Sequence, residues 1–61
     1  MSTFAYTLRV SIDFEYKNIE VTCEPEEGEP EDAPYLSGIG STLTDALRDL
    51  SRNIDNALEE I

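Results

Sequence analysis

The fold is decided first by residues 4–14, which read Phe4-Ala5-Tyr6-Thr7-Leu8-Arg9-Val10-Ser11-Ile12-Asp13-Phe14. Apolar side chains occupy the even positions of this stretch, and polar or small side chains occupy the odd positions. Side chains on a β-strand alternate between the two faces of the sheet. The pattern therefore predicts a long strand with one buried face and one wet face.

A second alternating stretch follows, in which polar residues separate Ile19, Val21 and Cys23. Residues 13–18 interrupt the alternation, which predicts a hairpin turn there and an antiparallel pairing of the two strands. The turn contains no Asn-Gly or Asp-Gly pair, so its type stays open. Cys23 falls on the inward side, where a cysteine usually behaves as a small hydrophobe, and we expect no redox role for it.

Residues 24–32 read Glu-Pro-Glu-Glu-Gly-Glu-Pro-Glu-Asp. Proline cannot donate to a strand ladder and adjacent like charges repel, so we expect a solvated loop at about residues 24–34. Pro34 then introduces a short third strand over residues 35–40. Two interpretations of the acidic run stay open. It is either a mobile linker or a docking strip for a basic partner, made of Glu24, Glu26, Glu27, Glu29, Glu31 and Asp32.

The last third of the chain has apolar residues at three- and four-residue steps, which predicts an amphipathic helix over about residues 43–60. Thr42 precedes it and Asp45 follows three positions later, as in a capping box with Asp in place of Glu. The apolar stripe of the helix consists of Leu43, Ala46, Leu47, Leu50, Ile54, Ala57, Leu58 and Ile61.

The element order predicts an α+β fold, β-β-β-α, in a single domain of residues 1–61. Three antiparallel strands form a sheet, and the C-terminal amphipathic helix packs on its apolar face. The expected core is made of the inward residues of all four elements: Phe4, Tyr6, Leu8, Val10, Ile12, Phe14, Ile19, Val21, Leu36, Ile39, Leu43, Leu47, Leu50, Ile54 and Leu58.

The composition is strongly acidic, with 14 Asp and Glu against 4 Lys and Arg and a formal net charge of -10. Because nucleic acids and anionic membranes attract Lys and Arg, we expect no direct nucleic-acid binding and no membrane binding. No apolar run approaches the ~20 residues of a membrane-spanning helix. Residues 1–10 lack the pattern of a signal peptide. These features favour a soluble cytoplasmic protein.

The side-chain inventory also limits the chemistry. The chain has no histidine and one cysteine, so a Ser-His-Asp triad, a Cys-His pair, an internal disulfide and a cysteine zinc site are excluded within it. The carboxylates fall in the loop and on wet faces, and the EF-hand spacing is absent. We therefore expect no catalytic residues, no dedicated metal site and no cofactor.

Three short motifs follow one another along residues 6–60. The first is the strand Tyr6-Thr7-Leu8-Arg9-Val10; the second is Pro34-Tyr35-Leu36-Ser37-Gly38; the third is Gly40-Ser41-Thr42-Leu43-Thr44-Asp45-Ala46-Leu47. They resemble the first strand, the Pro-x-Leu-x-Gly element and the Gly-x-Thr-x-x-Glu-Ala helix opening of the HicB-like antitoxin family. The segment after Gly38 is shorter than in the family, the acidic loop replaces a short connection, and no DNA-binding tail follows Ile61.

This resemblance implies a β-β-β-α fold, a tendency to dimerise and a non-catalytic role in binding another protein. It does not imply autoregulation, because the family binds operator DNA through such a tail. We therefore expect a small acidic inhibitor or antitoxin-like partner of another protein with a basic surface.

Two alternatives stay open. The first is a phage-type nucleic-acid mimic that blocks a DNA-binding enzyme, with ordered carboxylates at Glu20, Glu24, Asp45, Asp49, Asp55 and Glu59. The second is a self-associating structural module. A chain this short buries little core, so we expect it to form a homodimer or to dock on a partner. The wet face of the first strand, with Thr3, Ala5, Thr7, Arg9 and Ser11, and an open strand edge offer a further contact.

Overall fold

The computed structural model describes residues 3–60. Its elements are β1 (Tyr6–Asp13), β2 (Asn18–Pro25), β3 (Leu36–Gly40) and α1 (Leu43–Glu59). The strands form one antiparallel sheet in the order β1-β2-β3. The predicted α+β fold, a three-stranded antiparallel sheet followed by one C-terminal helix, is confirmed. Ile61, which the periodic pattern places on the helix stripe, lies outside the described residues.

The hairpin between β1 and β2 is closed by a side chain. Oδ1 of Asp13 accepts hydrogen bonds from the backbone N–H groups of Glu15 and Tyr16, each at 3.0 Å. Lys17 then takes a positive φ of 56° before the chain enters β2. An Asx turn of this kind satisfies the backbone of a turn that has no Asn-Gly pair. The resulting register places Val10 opposite Val21.

Strand β2 extends further than the sequence predicts. It continues through Glu24 to Pro25, so the expectation that the loop starts at residue 24 is wrong, and the connection to β3 spans residues 26–35. Pro25 lies opposite Tyr6 at the strand end. Strand β3 pairs with β2 only as far as Cys23, so the missing N–H of Pro25 removes no ladder hydrogen bond, as is usual for proline at the end of a strand.

Helix α1 begins as predicted and lies very close to β3. Oγ1 of Thr42 accepts a hydrogen bond from the backbone N–H of Asp45 at 3.1 Å, which satisfies one free N–H of the first turn. A Cβ on Gly38 would stand 2.7 Å from Cα of Leu50 and closer still to backbone atoms of Leu50 and Ala46. Glycine is therefore required at position 38 for the helix to approach the sheet.

The core is smaller than the sequence predicts. Val21, Ala46 and Leu50 form a buried cluster, around which Ile19, Cys23, Leu36 and Ile54 are partly buried. Ala33 in the loop is buried as well. Eight residues expected in the core are instead exposed: Leu8, Val10, Ile12, Phe14, Ile39, Leu43, Leu47 and Leu58.

The lateral position of the helix, over β3 and β2, explains most of these differences. Cα atoms of α1 lie within 8 Å of Cα atoms of β3 and β2, and within the described residues none lies that close to a Cα atom of β1. The inward row of β1 is therefore left without a cover. Ile39 is exposed for another reason, since alternation along β3 turns Gly38 and Gly40 toward the helix and Ile39 to the opposite face. Phe14 lies in the hairpin turn, beyond the end of β1.

Candidate protein-binding surface

The inward face of β1 presents a row of exposed apolar side chains. Leu8, Val10 and Ile12 are 56%, 48% and 52% exposed. The register places them opposite Cys23, Val21 and Ile19, respectively. They therefore lie on the same face of the sheet as the helix, one strand outward from the buried cluster.

One flank of the helix faces this row. Asp49 and Asn53 hydrogen bond to β3, so the flank of α1 that carries these two residues lies above the β3 edge. Successive helical residues are rotated by about 100°, so Leu43, Leu47 and Leu58 fall on the other flank, toward β1. They are 45%, 41% and 64% exposed. We call the surface formed by Leu8, Val10, Ile12, Leu43, Leu47 and Leu58 the apolar trough.

The acidic loop is tied to one end of β1. The backbone N–H of Glu26 donates to the carbonyl of Ala5 at 2.9 Å, and the hydroxyl of Tyr6 donates to the carbonyl of Pro34 at 2.7 Å. Burial raises the pKa of the Tyr6 hydroxyl, and the nearby charges of Cys23 and Glu29 raise this pKa further. The loop is therefore held beside the Tyr6 end of β1.

The C-terminus of the helix lies at the same end of the molecule. Pro34, Tyr35, Asn53 and Glu60 border one surface depression, which brings the last turn of α1 to the start of β3. The last turn contains no basic residue, and the free carbonyls of a helix C-terminus add negative potential. We call the carboxylates gathered here the acidic pole: Glu26, Glu27, Glu29, Glu31, Asp32, Glu59 and Glu60.

Most of the negative charge has no cationic partner nearby. Within residues 3–60, three of the fourteen carboxylates form ion pairs, and the other eleven have no cation within 4 Å. Glu24 pairs with Arg9 at 3.3 Å. The expected docking strip is therefore divided, because Glu24 belongs to the outer face of the sheet while its other five members belong to the acidic pole.

The carboxylates proposed for a nucleic-acid mimic are also divided. Strand alternation places Glu20 and Glu24 on the face of the sheet opposite the helix. Asp45 and Asp49 lie on α1 and pair with Arg48 and Arg52. Three of the six proposed residues are thus partly neutralised by arginines, and the six do not form one face.

The wet face of β1 is exposed as expected. Thr7, Arg9 and Ser11 are exposed, as are Thr3 and Ala5 before the strand. Within the described part of the chain, no group of three or more His, Cys, Asp or Glu could hold a metal ion. The helix in that part is too short and too polar to cross a membrane. The surface can bind through apolar contact and charge.

The sequence pattern alone assigned every trough residue to the core. A geometric signal could have found the trough, because strands lie about 4.8 Å apart while packed helices need 8–10 Å. One helix therefore covers about two strands, and a three-stranded sheet with one helix leaves one strand uncovered.

Comparison with protein-family models, curated proteins and solved structures gives no match for the chain. The HicB-like resemblance therefore rests on the three sequence motifs alone. By its fold, the molecule is a β-β-β-α domain in which the edge strand β1 is left uncovered.

Proposed function

We propose that this chain is a non-catalytic protein-binding module, an inhibitor or antitoxin-like partner of another protein with a basic surface. The observation that carries the proposal is the apolar trough, which lies open beside the acidic pole. Contiguous exposed apolar side chains on a small protein are typical of a protein contact. Scattered single hydrophobic residues would carry no such argument.

The trough suits a helical segment of the partner. The space above β1 is bounded on one side by α1, and a second helix packed 8–10 Å from α1 would lie above β1. Such a helix would cover Leu8, Val10 and Ile12 and contact Leu47. The partner element is therefore an amphipathic helix whose apolar stripe enters the trough.

The acidic pole selects among such helices. A partner helix with Lys or Arg near the pole gains favourable contacts, whereas an acidic helix is repelled. The negative charge of these clustered carboxylates also speeds the encounter with a basic protein, and this effect weakens as the salt concentration rises. Binding by surface occupancy needs no reacting group, which is consistent with an inhibitor.

The HicB-like resemblance adds an antitoxin-type role to this proposal, and the free thiol of Cys23 fits a reducing cytoplasm. The nucleic-acid mimic has less support, because its six carboxylates lie on different faces and three of them pair with arginines.

The test is capture of partner proteins from a lysate of the source cells, at low and high salt. The trough variant carries Leu43→Gln and Leu47→Gln, and its control carries Asn56→Gln at an exposed position on the opposite side of the same helix. We expect the wild type and the control to retain one basic protein and the trough variant to lose it. In a second variant, the five loop carboxylates of the acidic pole are replaced by their amides, and we expect slower association with the captured protein.

Equal capture by the trough variant and its control would contradict the proposal. Displacement of the captured protein by duplex DNA would favour the nucleic-acid mimic. Recovery of no protein other than the chain itself would favour the self-associating module.

A further inference from the structure

The two outer edges of the sheet differ. On β3, the backbone N–H of Ile39 donates to Oδ2 of Asp49 at 3.0 Å. The carbonyl of Ser37 accepts from Nδ2 of Asn53 at 2.6 Å. Both groups point away from β2, so side chains of α1 occupy positions that another strand would need. The β3 edge is therefore protected against pairing.

The β1 edge has no such protection. The backbone N–H of Glu26 donates to the carbonyl of Ala5, which shows that the backbone N–H and C=O groups of the odd residues point toward β2. Backbone groups alternate along an antiparallel ladder, so those of Tyr6, Leu8, Val10 and Ile12 point outward. Within residues 3–60, no backbone or side-chain hydrogen bond satisfies these outward groups.

The composition of this edge suits contact with a copy of itself. Residues 3–12 contain no proline, no glycine and one charged residue, Arg9, although the whole chain has a net charge of -10. Long uncharged edges rich in β-branched and aromatic residues are the ones that accept another strand. The acidic pole, in contrast, would repel a second copy.

The area that the molecule exposes points the same way. A folded monomer of this mass exposes about 4,000 Å² on average, whereas this chain exposes 4926 Å². The Cα radius of gyration is 12.6 Å, against about 10.5 Å for a compact chain of this length.

We propose that β1 pairs antiparallel with β1 of a second copy, so that two copies form a continuous six-stranded sheet. The outward backbone groups belong to even residues, so even residues must face even residues across the new ladder. A two-fold axis at Arg9 would set two arginines directly opposite, which is unfavourable. An axis at Val10 would set Arg9 opposite Ser11, whereas an axis at Ser11 sets Arg9 opposite Asp13 of the second copy. We assign the register with the axis at Ser11, because it places opposite charges across the new ladder.

This dimer is independent of the proposed function. Edge pairing uses the backbone of β1, and the two helices then stand on the same face with both apolar troughs between them. Because adjacent strands lie about 4.8 Å apart and packed helices need 8–10 Å, the two troughs together form one groove that stays open to one partner helix. If no partner is captured, the proposal of a dimer is unaffected. If the wild type is monomeric, the proposal of partner binding is unaffected.

The first test measures the mass in solution by sedimentation equilibrium over a range of concentrations. We expect the wild type to show the mass of two chains, against 6.8 kDa for one. Val10→Pro removes an outward N–H from each copy and no bond between β1 and β2. We expect it to raise the dimer Kd at least about tenfold relative to Val10→Ala, which keeps the N–H. A wild-type monomer at all concentrations, or equal Kd values for two folded variants, would overturn the proposal.

The second test does not depend on the folding of a proline variant. In a Cys23→Ser background, Ser11→Cys places two thiols at a non-hydrogen-bonded pair, where Cα atoms lie about 4.5 Å apart, within disulfide range. We expect Ser11→Cys to cross-link rapidly on oxidation. Thr7→Cys, on the same face of the strand, would lie about 26 Å from its copy and stay uncoupled. Rapid cross-linking of Arg9→Cys in place of Ser11→Cys would overturn the register.

Discussion

The backbone N–H of Ile39 on β3 donates a hydrogen bond to the Asp49 carboxylate on α1, at 3.0 Å. The same carboxylate pairs with Arg52 one helical turn later. A helix side chain thus replaces the neighbouring strand that β3 lacks on its outer side. Because α1 is drawn toward this edge, it leaves β1 uncovered, and the asymmetry of the molecule follows from this placement.

Replacing Asp49 should therefore affect both stability and association. Asp49→Ala removes a charge-assisted hydrogen bond from a partly exposed site, which should lower the free energy of unfolding by about 1–2 kcal/mol. It also frees the β3 edge, so we expect species larger than those of the wild type in sedimentation at high concentration. Asp55→Ala on the same helix is the control, because no cation lies near Asp55 within the described chain. Equal urea midpoints for the two variants would refute the role of Asp49.

Gly38 sets the distance between helix and sheet. A Cβ at this position would overlap backbone atoms of Ala46 and Leu50, and backbone cannot move aside as a flexible side chain can. We expect Gly38→Ala to lower the free energy of unfolding by about 3 kcal/mol, at the upper end of overpacking costs. Urea unfolding measures this loss directly.

Gly28→Ala is the matched control for that experiment. Gly28 has a φ of 96°, with no other atom within 4 Å of an added Cβ, so its replacement costs only backbone strain of about 1–2 kcal/mol. A smaller loss for Gly38→Ala than for Gly28→Ala would show that the helix can move away from the sheet without penalty.

The elements were predictable because each has a local cause. Alternation along residues 6–13 gave β1, and the Thr42 cap followed by a regular apolar stripe gave α1. The hairpin between Asp13 and Asn18 also follows from local pattern. The strand order follows the chain order, because consecutive strands are usually neighbours in a sheet. These features depend on neighbours in sequence, so periodicity finds them.

The extent of the core was not predictable in the same way. Val10 and Val21 have the same pattern and lie opposite each other, yet Val21 is 0% exposed and Val10 is 48% exposed. The difference arises from the lateral position of α1, which the glycines of β3 and the hydrogen bonds of Asp49 and Asn53 determine. Those are contacts between elements, and a hydrophobic period carries no information about them. The sequence also identifies the acidic run of residues 24–32. Its division between β2 and the acidic pole could not be predicted, because it depends on the pairing of Pro25 with β1.

The N-cap of the helix gives a third prediction. Thr42→Ala removes the acceptor of the Asp45 N–H, and loss of such a cap costs about 1 kcal/mol. Thr42→Ser keeps the hydroxyl and should stay within a few tenths of a kcal/mol of the wild type. Thr44→Ala, two residues into the helix, is the control. Helix content by circular dichroism during urea unfolding distinguishes the variants, and equal losses for Thr42→Ala and Thr44→Ala would show that the cap contributes nothing.

The Tyr6 hydroxyl should make stability depend on alkaline pH. Its pKa in the fold is raised, first by desolvation and then by the charges of Cys23 and Glu29, whereas in the unfolded chain it has the ordinary value near 10. The contribution is fully present below the unfolded pKa and is lost as pH rises through the higher folded pKa, because the unfolded state then releases the proton more readily.

Tyr6→Phe should therefore lower the melting temperature at neutral pH, since the bond to the Pro34 carbonyl is lost, and should flatten the fall in stability at alkaline pH. Tyr16→Phe is the control, because Tyr16 is 74% exposed in the hairpin. We expect this substitution to leave both properties unchanged. Melting curves across the alkaline range, with tyrosinate absorbance recorded in parallel, give the comparison. If Tyr6→Phe and wild type lose stability with the same pH dependence, the loop is not held to β1 by this hydroxyl, and the acidic pole must be positioned by the Glu26–Ala5 backbone bond and the burial of Ala33 instead.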